Sequence, residues 1–287
     1  MAIKTIPYKG QELLLVTYDL VFKALLTSDG DLELLASLLS CILELKISAE
    51  DITVTNTELP RTHVGDKLSS VDVRVKLSDG KHINAEIQVQ DEHNMESRSV
   101  YYLSRLYVEQ MVSGMDYIDI QPTISIIILD YPLLDYKEYH NKYRLKNTRN
   151  NDELTDVFEI NFLELKKVRR KNKNSMKDLW MLFLKAEKEE ELEMLANENP
   201  IMEKAINKLV YISADEKVRY ELDMREKAEL DYHSAMKSNY RKGEEKGEAK
   251  GKKEMIIEMK NDGLSEERIA KIAKLPVEKI RGILSAE

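Results

Sequence analysis

Alternation of apolar and polar positions is most regular in residues 71–90, VDVRVKLSDGKHINAEIQVQ. Strand side chains point to opposite faces in turn. Val71, Val73, Val75 and Leu77 therefore share one face, and Asp72, Arg74 and Lys76 share the other. In the second run Ile83, Ala85, Ile87 and Val89 oppose Asn84, Glu86, Gln88 and Gln90. A two-residue Asp79-Gly80 loop would pair Leu77 with His82 and set an apolar face beside a polar one, which is disfavoured when one face is buried. A three-residue Ser78-Asp79-Gly80 loop pairs Leu77 with Lys81, restores the match, and puts glycine where φ is positive. In that register Asp72 lies directly across from Glu86, with Cβ atoms about 5 Å apart.

The rest of the chain divides by its periodicity. Residues 18–26 (YDLVFKALL) and 31–45 predict two helices, the second with leucines on several faces and hence buried. Residues 51–59 predict a strand. Residues 97–113 are helical in pattern, and Gly114 is a helix stop. Residues 122–131 (PTISIIILDY) form a nearly continuous β-branched apolar run, the mark of a strand covered on both faces. Residues 156–165 alternate again. From about residue 176 the chain turns helical and charged. Glycine recurs at Gly243, Gly247 and Gly251, which predicts a flexible or fraying helical linker. Beyond it, Ser265 is placed to cap a helix over 266–273, and a second helix follows over 277–284. This tail reads either as a small helix-turn-helix unit or as a helical hairpin for self-association.

The apolar fraction of 43% supports a real core, and the net charge of −8 argues against a surface that coats nucleic acid throughout. A local basic run at 166–177 (KKVRRKNKNSMK) remains, either a solvated segment or a nucleic-acid contact. One cysteine, Cys41, excludes a disulfide framework and a cysteine-based zinc site. The five histidines show no paired ligand spacing. The N-terminus has no signal-peptide pattern and no apolar run is long enough to cross a bilayer, so a cytoplasmic protein without membrane contact is expected.

Like charges directly opposite on a hairpin are destabilising unless something neutralises them. The Asp72–Glu86 pair is therefore either incidental, on a solvent face where Arg74 or Lys76 relieves it, or a site for a divalent cation, because hard cations prefer carboxylate oxygen. Gln88 sits two residues along on the Glu86 face.

These residues resemble the PD-(D/E)xK nuclease core, and more closely the recombination-promoting nuclease (Rpn) family of PD-(D/E)xK putative transposases. Asp19 with Phe22-Lys23 resembles the family's opening helix. Ser70-Val71-Asp72 and Ala85-Glu86-Ile87-Gln88 resemble its two metal-binding strands. Arg98, Tyr101, Tyr102, Tyr107, Gln110, Gly114 and Tyr117 resemble its RxxYYxxxxYxxQxxxGxxY segment. The likeness is dense over residues 17–131 and loose afterward.

The resemblance implies a mixed α/β, restriction-endonuclease-like core over 1–170, a helical extension over 171–240, and a glycine-spaced linker with a small helical tail over 241–287. It implies Mg²⁺ or Mn²⁺, with Asp72 and Glu86 as ligands and Asp19 as a supporting acid; from the residues alone, Asp19 is equally a helix cap. It implies hydrolysis of DNA phosphodiester bonds in recombination or mobile elements, with Asp72, Glu86 and Gln88 catalytic. Lys23, Arg98, Lys166, Lys167, Arg169 and Arg170 are the candidate DNA contacts. Gln88 stands where most PD-(D/E)xK enzymes carry lysine. An amide can orient water but brings no charge to the developing phosphorane. That substitution and the acidic balance keep open a second reading, a nuclease fold retained as a non-cleaving interaction module. The methionine-rich helices after residue 176 suggest a homodimer.

Overall fold

The computed structural model describes residues 3–55, 58–59, 69–70, 72–171 and 174–285; for 58–59, 69–70 and 229 only the backbone is described. Val71, His63, Asn56, Thr57, Asn172 and Lys173, which figure in the expectations above, lie outside the described residues. The chain divides into two compact units, Met1–Leu222 and Asp223–Glu287.

The first unit begins with a hairpin of β1 (Thr5–Tyr8) and β2 (Gln11–Leu14), followed by α1 (Asp19–Thr27), α2 (Glu33–Leu43) and β3 (Ile52–Val54). A two-residue pair follows, β4 (Glu58–Leu59) with β5 (Ser69–Ser70). Next come β6 (Val73–Leu77), β7 (His82–Gln88), α3 (Met95–Glu109), β8 (Thr123–Leu129), β9 (His140–Lys146) and β10 (Glu153–Glu164). The helices α4 (Met176–Leu184), α5 (Glu189–Glu198) and α6 (Pro200–Ala214) follow, and α7 (Glu216–Asn261) starts after them. The principal sheet has the order β3-β6-β7-β8-β10-β9. Strand β8 runs parallel to both β7 and β10, and the other pairs are antiparallel.

Each sheet face has a cover. One is apolar over β6 to β8: Val73, Val75, Leu77, Ile83, Ala85, Ile87, Ile124, Ile126 and Ile128 share a core with Phe22, Leu25, Leu35, Leu39, Trp180 and Leu209 from the helices. Buried Glu159 and Asn161 of β10 continue this face toward β9. Helices α4 to α6 thus belong to the same core as the sheet. On the other face a smaller cluster joins Met95 of α3 to Ile127, Leu129, Tyr131 and Phe162. Strand β8 is buried at every position, as its unbroken apolar run requires.

The expected hairpin register is the one observed. Val73 faces Ala85, Val75 faces Ile83 and Lys76 faces His82. The three-residue loop closes with Leu77 N–H on the Lys81 carbonyl (2.9 Å) and Gly80 N–H on the Leu77 carbonyl (2.9 Å), and Gly80 has φ +93°. A side chain at Gly80 would also meet Gln121, since a Cβ would stand 2.9 Å from its Oε1.

Two elements escape the sequence reading. The β1–β2 hairpin has strands of four residues, turned at Lys9 and Gly10, both with positive φ. Strand β9 (HNKYRLK) is a polar edge strand; lysine and arginine there discourage edge-to-edge pairing, and no apolar alternation betrays it.

In the second unit α8 (Glu266–Ala273) and α9 (Val277–Leu284) pack with the end of α7 around Ile256, Ile269, Ala270 and Ile280. Ser265 caps α8, accepting from Arg268 N–H at 3.4 Å. Gly243, Gly247 and Gly251 are all helical within α7. Ion pairs one turn apart, Arg241–Glu245 at 3.9 Å and Lys250–Glu254 at 3.7 Å, flank them and partly offset the helix cost of glycine.

Asp178 ties the added helices to the sheet region. Its carboxylate takes Ser175 N–H (3.1 Å) in a capping box and the Tyr139 hydroxyl (2.7 Å). Burial alone raises its pKa, but these hydrogen bonds outweigh that and hold it below the ordinary carboxylate value. Its stabilising contribution is therefore present above the unfolded pKa and is lost as pH falls through the lowered one. Asp178→Ala is expected to lower the urea-unfolding free energy at pH 7 by about 2 kcal/mol. An unchanged midpoint would show that the cap contributes nothing.

Candidate metal centre

The hairpin's polar face is not a solvent face. Asn84 and Glu86 are 1% and 3% exposed, because α3 lies across this side of the sheet. Its buried side chains Arg74, Asn84 and Glu86 each have a partner. Arg74 pairs with Glu109 at the C-terminal end of α3 (3.0 Å), Asn84 accepts from the Ser125 hydroxyl (2.7 Å), and Glu86 pairs with Arg98 near the N-terminal end (2.6 Å). Relief of the acidic pair thus comes from the helix and not from Arg74 or Lys76.

Asp72 stands one residue before β6, just beyond the last ladder pair Val73–Ala85 and within electrostatic reach of Glu86. Its Oδ2 accepts the Ile87 amide at 2.8 Å. Burial pushes this carboxyl up to about 7, partly opposed by that hydrogen bond, and the charges of Glu86 and Asp19 push in the same direction as burial. Glu86 is also raised by burial, with Arg98 opposing. Asp19 is the first residue of α1 and not its cap: the N-cap position is Tyr18, which makes no side-chain capping bond, while Asp19 Oδ1 accepts the Leu20 amide at 2.7 Å and its charge acts on Asp72.

Among the described residues no group of three or more His, Cys, Asp and Glu side chains is close enough to hold a metal ion. Two carboxylates suffice for Mg²⁺, which keeps several waters and takes further oxygen from substrate phosphate. Asp72 and Glu86 are hard donors under mutual repulsion that a cation would relieve, so the donor set fits. Arg98 competes for it by holding Glu86 Oε1.

Gln88 Nε2 donates to the Gln90 carbonyl at 3.2 Å. Lys23 is exposed on α1. Of the basic run, Lys166 pairs with Asp130 (2.9 Å), Lys167 with buried Glu164 (2.7 Å) and Arg170 with Glu198 (2.6 Å), while the Arg169 guanidinium reaches the Lys166 carbonyl. Lys167 and Arg169 line a basic cleft of about 550 Å³ with Lys137, Lys171 and Lys177, which includes none of Asp19, Asp72, Glu86 or Gln88. Tyr131 is a residue the sequence reading passed over: its buried hydroxyl has no hydrogen-bond partner and lies within electrostatic reach of Glu86 and Arg98. Only its place at the end of the β8 run could have flagged it.

Asp72→Asn removes one of the repelling charges and keeps an acceptor for Ile87 N–H. In EDTA it is expected to stabilise the protein by about 2 kcal/mol in chemical denaturation. A destabilised variant would mean the pair is not strained.

Comparison with curated proteins and with solved structures finds no match. Residues 16–239 match the model of a family described as PD-(D/E)XK nuclease family transposase, a span that contains the acidic hairpin, α3 and every strand from β3 to β10. The chain belongs to the PD-(D/E)XK nuclease family transposases, and its mixed sheet with a helical C-terminal region is that kind of nuclease fold.

Proposed function

We propose that this protein is a divalent-metal-dependent DNA endonuclease acting in recombination or transposition. The observation that carries the reading is the Asp72–Glu86 juxtaposition at the covered end of the hairpin, where burial and like charge leave two carboxylates in need of a cation. Asp72 and Glu86 would hold Mg²⁺ or Mn²⁺, and Asp19 would add negative charge from α1. A bound divalent cation supplies Lewis-acid stabilisation of the phosphoryl oxygens and makes water more acidic. Asp72 is fixed by its bond to the Ile87 amide, which orients the carboxylate. Gln88 is neutral, so from its position it can align water but neither accept a proton nor neutralise phosphate.

With Mg²⁺ or Mn²⁺ the purified chain is expected to nick or cut plasmid DNA. Asp72→Ala and Glu86→Ala should each lower the rate at least about 100-fold. Calorimetry should show metal binding that Glu86→Ala removes. Equal cutting by wild type and both variants would sink the assignment. Absence of metal binding even with DNA present would favour the interaction-module reading.

The homodimer reading draws support from large apolar side chains exposed along α7 and α8, among them Tyr232, Met236 and Tyr240 before residue 241 and Met255 and Ile272 after it. Light scattering should give a dimer mass that falls when residues 241–287 are removed. One monomeric mass for both chains would contradict a role for the tail in assembly.

A further inference from the structure

The site has acids and a gap. Hydrolysis of a phosphodiester builds negative charge on phosphorus-bound oxygens, and catalysts of such reactions place a fixed cation or hydrogen-bond donors there. Strand β7 offers none: Gln88 is uncharged and its amide is engaged with Gln90. A cation comes from the helix above. Arg98 Nη2 donates to Glu86 Oε1 at 2.6 Å, and its Nη1 faces Glu92 at 3.7 Å. The guanidinium stacks 5.4 Å from the Tyr102 ring centroid, which limits its swing.

Two polar atoms beside these acids are buried and lack any hydrogen-bond partner: Arg98 Nε and Tyr131 Oη. Native proteins rarely leave such groups unmet, and those that persist call for a reason. Tyr131 is 9% exposed and belongs to the apolar cluster that includes Met95, one turn before Arg98 on α3. Asp91, Arg98, Glu96 and Glu86 all act on its phenol. Both orphan groups are donors. Their natural complement is an acceptor bearing several oxygens, and a phosphodiester has two non-bridging oxygens.

We propose that Arg98 and Tyr131 form the phosphate-binding arm of this site, Arg98 supplying the positive charge that Gln88 lacks and Tyr131 donating a hydrogen bond to the same DNA phosphodiester. The inference rests on the nuclease reading and adds which residues meet the substrate. It separates the roles of the two strands and the helix: β6 and β7 bring the acids, and α3 with the end of β8 brings the donors.

The test uses the full-length chain and a short labelled duplex, with anisotropy recorded on ice in Ca²⁺ across a salt series and the duplex checked for integrity on a gel. Arg98→Gln should reduce the slope of log Kd against log salt by about one, as loss of one phosphate contact does, and Arg98→Lys should keep it. Arg98→Gln leaves Glu86 without its partner and can fail to fold. The comparison of Glu86→Gln with the Glu86→Gln/Arg98→Gln double variant then isolates the same slope change with no buried carboxylate left unpaired. Tyr131→Phe should weaken binding about fivefold to tenfold at constant slope and leave the unfolding midpoint intact. Wild-type slopes and affinities in the Arg98 and Tyr131 variants, with DNA still cut in Mg²⁺, would overturn the inference and leave the nuclease reading standing. A wild-type chain that neither binds nor cuts the duplex would overturn both.

Discussion

A carboxylate buried on the covered side of a central strand must have a counter-charge, and that requirement governs how α3 lies on the sheet. Glu86 meets Arg98 near the helix's start, and Arg74 meets Glu109 at its end. The two pairs have opposite polarity, strand acid to helix base and strand base to helix acid. Sliding or reversing α3 would set like charges together in a region with little water to screen them. The Ser125–Asn84 bond and the Gln110 side-chain bonds to Thr123 and to the backbone of Gln121 satisfy further polar groups of this layer. The face is therefore polar in composition yet packed like a core, and this polar layer fixes the helix over the acids.

The hairpin was legible because its constraints are local. A side-chain period of two and a three-residue loop with glycine at its end leave one register that keeps both faces consistent, and the observed ladder has it. The buried run of β8 was legible for the same reason. What local pattern could not show is which faces are covered. Arg98 and Glu109 look like the solvent side of an amphipathic helix until the sheet beneath them is seen to carry Glu86 and Arg74. Strand β9 was hidden by its polarity, and the β1–β2 hairpin by its brevity. The three glycines of α7 read as helix-weakening, yet the helix runs through them.

Strain and satisfaction are unevenly distributed around the acids. Asp72 is anchored by the Ile87 amide and yet raised by burial and by two neighbouring carboxylates. Gln88, the residue whose identity is hardest to reconcile with phosphoryl chemistry, is locally content on the Gln90 carbonyl. A group satisfied within its own strand has little reason to turn toward a ligand. A buried donor without an acceptor has every reason, and at this site such donors belong to Arg98 and Tyr131.

The basic run after β10 shows why counting positive charge is a poor guide to a DNA path. Lys167 holds Glu164, whose carboxylate also receives the Leu133 and Leu134 amides, so this lysine stabilises a loop. Lys166 and Arg170 are likewise matched to Asp130 and Glu198. Each such cation would have to give up a carboxylate to gain a phosphate, and the exchange yields little net energy on an exposed surface. At the acidic hairpin the balance differs. There the acids lie in a covered site; on the proposed reading Asp72 and Glu86 would hold a divalent cation, and Arg98, stacked on Tyr102, would stand beside it. Arg98 would then bear on both the acids and the phosphate, through its contact with Glu86 and the donors proposed above.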